Sequence, residues 1–137
     1  MNETTRNAQA PRVAVMRSPL ARARGLGAAR SGVGHWWAQR LSAVALLPLV
    51  LWFVAAILSL AGAGQPAVAH WAAQPVHAVL LLCLILASFY HMQLGLQVVI
   101  EDYIHADGMK LAALLAMKAA CLLLALTALL AALRLAL

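Results

Sequence analysis

The stretch HMQLGLQVVIEDYIH, residues 91–105, decides how the chain is read. It starts inside an apolar run and leaves it through two acids, a tyrosine and a second histidine. At about 100° per residue, the step from His91 to Asp102 falls within about 20° of three helical turns, so the two residues share one face. At about 1.5 Å per residue they stand roughly 16 Å apart along the axis. One stripe therefore carries an imidazole deep in an apolar segment and polar groups near its end. Gly95, one turn on from His91, removes side-chain bulk where something flat could approach the backbone. An ionisable group at membrane depth is by default a functional-site hypothesis.

The rest of the chain suits a membrane setting. Of 137 residues, 65% are apolar and 10% charged, with a mean hydropathy of +0.88, whereas water-soluble chains average about 25% charged. The length fits one compact membrane unit. Cys83 and Cys121 lie apart in apolar runs without the paired spacing of a zinc site or a disulfide framework, so both are expected to be small packing residues.

Residues 1–35 differ in kind from residues 36–137. Arg6, Arg12, Arg17, Arg22, Arg24 and Arg30, followed by Arg40, are opposed only by Glu3. Such a segment suits the cytoplasmic flank of a membrane protein or a transit peptide. A nucleic-acid patch is disfavoured because no aromatics are interleaved and three apolar segments follow. Residues 1–12 are expected to be disordered alone, and residues 18–30 to order against a partner.

Those three segments predict an all-α membrane protein with transmembrane helices at about 41–62, 75–100 and 109–133. The first holds no charge over its length, matching the roughly 20 residues needed to cross a hydrocarbon core, and Pro48 is expected to kink it. Trp36, Trp37 and Arg40 read as an interfacial belt at its start. The Gly62–Pro66 run should end it, Pro75 should open the second span, and Asp107-Gly108 should turn the chain back. Arginines crowd the N-terminus and none lies in the first loop. The positive-inside rule then puts the N-terminus in the cytoplasm and the C-terminus in the periplasm.

Pattern alone leaves the chemistry of the stripe open. A neutral imidazole in a helical bundle suits an axial ligand for haem iron, but it equally suits a histidine hydrogen-bonded to a neighbouring helix. His77 is close to four turns from His91 and admits a second haem or a capping role. Tyr103 and Asp102 sit where a lipid-soluble redox molecule could meet protons, the phenol donating a hydrogen bond and the carboxylate orienting it. An ordinary interfacial tyrosine with helix-end charges fits the same residues. Lys118 reads as a lysine snorkelling to the interface or as a group inside the bundle.

Three runs carry a family resemblance: HWWAQRLSA (35–43), the LPL and LWF that follow at 47–49 and 51–53, and above all HMQLGLQVVIEDYIH. From about Ser18 onward the chain resembles the three-helix hydrophobic anchor subunit (SdhD-type) of succinate dehydrogenase, respiratory complex II. The resemblance implies that His91 is one axial ligand to haem b, with the other supplied by a cytochrome b-type anchor subunit. It implies that Tyr103, with Asp102 beside it, binds ubiquinone, and that Arg40 and His35 lie near the haem propionates. It further implies a non-catalytic subunit that docks an iron–sulfur subunit and a flavoprotein subunit at the bacterial inner membrane, or the mitochondrial one. An anchor of fumarate reductase, or a cofactor-free structural or transport bundle, remains the alternative.

Overall fold

The computed structural model describes Leu20 and residues 32–137. The expectations for residues 1–12 and, Leu20 apart, 18–30 lie outside the described residues. The chain divides into two units, Met1–Gly34 and His35–Leu137. Among the described residues there are four main helices, α1 (Gly32–Ser59), α2 (Gln65–Ala72), α3 (Pro75–Tyr103) and α4 (Asp107–Ala136).

Three of these are long enough to span a bilayer. At 28, 29 and 30 residues they reach about 42–45 Å, beyond the roughly 30 Å of a hydrocarbon core. Their apolar windows have mean hydropathies of 2.6, 2.0 and 2.3, yet only 11, 6 and 11% of those windows is buried within the chain. A water-soluble helix hides one apolar stripe. These expose apolar surface nearly all round, which is stable only against lipid or other helices. The tightly buried residues are few and small to medium in size: Ser42, Ala56, Ala72, Leu84, Leu94 and Cys121.

The helix ends depart from the sequence reading in three places. α1 begins at Gly32, not Leu41, so His35, Trp36, Trp37 and Arg40 are part of the helix. The apolar run measures the span, but glutamine, arginine and tryptophan continue a helix at a cost of less than about 1 kcal/mol each. Arg40 then lies one turn from Trp36, its guanidinium carbon 5.5 Å from the ring centroid, a cation–π contact. α4 starts at Asp107 itself, so the chain turns back over Ile104–Ala106 instead of Asp107-Gly108. An aspartate in the first turn of a helix meets the positive end of its dipole.

The third departure is α2, a helix of eight residues where only a loop was expected. Pro66 in its first turn supplies a preset φ and no wasted donor. Gly62 ends the preceding helical stretch at φ +82°, where a side chain would be strained. Eight residues are too few for a period to be legible.

An aromatic stack ties α2 to its neighbours. The His77 and Trp71 rings stack at 4.5 Å, Trp52 of α1 stacks on Trp71 at 5.7 Å, and His77 Nδ1–H donates to the Trp71 carbonyl at 2.9 Å. His77 is thus occupied as a structural clamp. Such a stack and one hydrogen bond each contribute about 0.5–1.5 kcal/mol. In His77→Ala, amide exchange across residues 65–74 is therefore expected to rise several-fold while any haem spectrum of the complex stays unchanged. Loss of the spectrum would show that His77 does more than clamp.

Candidate functional site

α1 carries a polar stripe on an otherwise apolar helix. His35, Gln39 and Ser42 follow at spacings of four and three, so they line one face, and this face meets α3. Ser42 Oγ lies 2.9 Å from His91 Nδ1. One turn along, a side chain added at Gly95 would begin 3.6 Å from Gln39 Nε2. Moving back along α1 moves forward along α3, so the two helices run antiparallel. The space that Gly95 leaves is thus taken up by the Gln39 amide, not held open for a flat ligand. The His91 ring, half-buried, is turned to a neighbouring helix and not wholly to the lipid.

The hydrogen-bond geometry assigns protons. Ser42 is 8% exposed, and its Oγ also lies 3.0 Å from the Gln39 carbonyl oxygen, to which it donates. A hydroxyl has one proton and can accept as well. With that proton on the carbonyl, the contact to His91 is satisfied only if Nδ1–H donates to Oγ. The reverse would set two oxygen lone pairs against each other at 3.0 Å. His91 is thereby held in the tautomer whose Nε2 lone pair is free, and Nε2 makes no hydrogen bond to a described residue. Metal-binding histidines are commonly held in this way, one nitrogen anchored so that the other can ligate.

The other predicted residues fall into two places. Asp102 and Tyr103 form the last turn of α3, with Tyr103 80% exposed. They stand about 16–18 Å from His91 along the helix, and neither is hydrogen-bonded to a described residue. Just before them, Gln97 Nε2–H donates to Glu101 at 2.8 Å. Arg40 and His35, expected together, are separated: five residues place them about 140° apart on α1. Arg40 is exposed over Trp36, and only His35 shares the stripe that faces α3.

The structure adds residues that the sequence reading passed over. Ser42 and Gln39 were not singled out, because serine and glutamine are common in helices and their partner stands 49 positions away in the case of Ser42. The stripe is also incomplete. His35 Nε2 and Gln39 Oε1 are buried without a hydrogen-bond partner, and each such atom costs about 1–3 kcal/mol when left unpaired.

The donor set fits half of a haem site. No group of three or more His, Cys, Asp or Glu able to hold a metal occurs among the described residues; a single axial histidine does not require one. A groove of about 240 Å³ between α3 and α4, lined by Tyr90, Gln93 and Cys121 among others, is smaller than the roughly 300–1,000 Å³ of a cofactor pocket. His91 is not among its lining residues.

These features define a class: a multi-pass helical membrane protein whose one well-held mid-helix histidine offers a single free nitrogen. The chain belongs to the succinate dehydrogenase/fumarate reductase transmembrane subunit family, whose model matches residues 14–125. Among curated proteins it is 30% identical, over 74% of its length and 82% of the relative's, to a succinate dehydrogenase hydrophobic membrane anchor subunit of Rickettsia bellii. A succinate dehydrogenase membrane anchor subunit of Reclinomonas americana is 26% identical over 57% of this chain and 68% of its own. The hydrophobic membrane anchor subunit of Rickettsia typhi is 25% identical over 78% and 86%. No solved structure matches significantly. The chain is accordingly a succinate dehydrogenase-type membrane anchor subunit.

Proposed function

We propose that this subunit anchors a succinate:quinone oxidoreductase, contributes one axial ligand to a shared haem b and forms part of a ubiquinone site. The observation that carries the proposal is the free Nε2 of His91, fixed by the hydrogen bond from Nδ1–H to Ser42. The hydrogen bond alone meets the simpler expectation of a histidine tied to a neighbouring helix. It uses one ring nitrogen, however, and leaves the other ready to coordinate. Haem b, when bound, supplies a one-electron redox centre.

The chain's own residues then have distinct tasks. His91 Nε2 would supply this chain's ligand to the haem iron, and a cytochrome b-type anchor would supply the other. The Tyr103 hydroxyl, exposed at the end of α3, donates a hydrogen bond to a quinone carbonyl oxygen. Asp102 beside it orients that hydroxyl or passes a proton from the aqueous side. The unpaired His35 Nε2 is suited to the polar rim of the haem. Arg40 reaches such a rim only by leaving the face of Trp36. Exposed apolar helix faces and the missing second ligand together support an obligate hetero-oligomer with the cytochrome, iron–sulfur and flavoprotein subunits. The subunit itself performs no chemistry on succinate.

The proposed setting is a bacterial inner membrane, with the N-terminus and the turn between α3 and α4 in the cytoplasm, where the soluble subunits would dock. A reporter that folds only outside the cytoplasm, fused after Leu137, should be active. Activity confined to a cytoplasmic reporter at the same position would reverse the topology and move Tyr103 to the far side of the membrane. The assembly is tested by purification through a tag on this chain. Flavin, iron–sulfur and b-type haem should co-purify, and a preparation lacking redox subunits would overturn the proposal.

A further inference from the structure

The geometry points to Ser42 as a positioning residue that sets the tautomer and the donor strength of His91 toward haem iron. This inference rests on the proposed haem role of His91 and deepens it.

Three observations carry it. Ser42 is the one buried polar residue among those described, and a buried hydroxyl is costly unless it is hydrogen-bonded. Its Oγ is bonded on both sides, donating to the Gln39 carbonyl at 3.0 Å and accepting from His91 Nδ1–H at 2.9 Å. Its own proton is committed, so the acceptor lone pair always faces the imidazole. The helix supplies this direction: a serine that bonds back to the carbonyl three residues earlier fixes its own rotamer. Beside this pair, the Gln39 amide occupies the space left by Gly95, its Nε2 lying 3.6 Å from where a Cβ would stand.

The consequence is electronic as well as geometric. An Nδ1–H that donates to an oxygen makes the imidazole a more basic ligand through Nε2. A more basic ligand favours ferric over ferrous iron. Removing the acceptor therefore weakens the preference for the ferric state and frees the ring to change its orientation. Partners of this kind typically change metal affinity by about 10–100-fold when mutated.

The test uses the purified complex and reads the haem, not turnover. In Ser42→Ala the ferric-to-ferrous preference should fall about tenfold, raising the one-electron midpoint potential by about 59 mV. The low-spin electron paramagnetic resonance signal should broaden as the ring orientation scatters. Ser42→Thr, which keeps the hydroxyl, should restore both. Ser42→Cys, a near-isosteric weak acceptor, should move the potential the same way by less, and it stands in if the alanine variant does not assemble. An unchanged potential and line shape in the alanine or cysteine variant would overturn the role of Ser42. His91→Ala is measured alongside. If that variant keeps the low-spin signal, the haem reading itself falls and the role of Ser42 with it; if it loses the signal while the Ser42 variants match wild type, only the positioning role fails.

Discussion

His91→Ala is expected to abolish the low-spin haem signal of the purified complex, or to convert it to a high-spin form. The expectation follows from stoichiometry of ligands. The chain offers one free imidazole nitrogen near the middle of α3, that of His91, which donates its other ring N–H to Ser42. Alanine leaves a methyl group where a nitrogen lone pair stood, and its short side chain cannot reach. The reduced-minus-oxidised optical spectrum of the purified complex is the measurement. Haem retained in unchanged low-spin form would mean that both axial ligands come from elsewhere. Co-purification of the soluble subunits should persist, because the helix faces that meet other chains are untouched.

The second large effect is expected at the end of the same helix. Tyr103→Phe removes a hydroxyl that has no partner among the described residues and is fully available to a ligand. A hydrogen bond to a neutral acceptor is worth about 0.5–1.5 kcal/mol net, and to one gaining charge about 1.5–3 kcal/mol. Quinone reduction should therefore slow by about tenfold or more, while succinate oxidation by an artificial dye that accepts electrons upstream stays at the wild-type rate. Equal loss in both assays would place the defect in assembly. The phenyl ring remains to fill the same space, so the contrast isolates the hydroxyl. Asp102→Asn, tested beside it, separates orientation from proton delivery, since the amide can still bond but cannot carry a proton.

How much of this was legible in the sequence depends on the range of the interaction that decides each feature. The three spans were readable because apolar content over twenty residues is a local property. The positions of His91, Asp102 and Tyr103 on one helix were readable from its period. The start of α1 at Gly32 was missed because the span was equated with the uncharged run. α2 was missed because Gln65–Ala72 is shorter than the window that a period needs. Ser42 was the more instructive omission. It lies in the run that carries part of the family resemblance, but no local pattern marks the serine itself, and its contact with His91 arises only when α1 and α3 are set side by side. His77 shows the same limit from the other direction: its helical phase with His91 admitted a second metal site, and contact with Trp71 and Trp52 assigns it to packing. Gly95, read as a gap for a ligand, instead admits the Gln39 amide.

The scarcity of interior in this chain bears on how it survives before it finds its partners. Nearly every helix face is left bare, so a surplus copy gains little by folding alone, and its hold on a unique arrangement comes from neighbours it has not yet met. A copy without partners is therefore expected to stay loosely packed within the bilayer until the faces that its helices leave bare are covered.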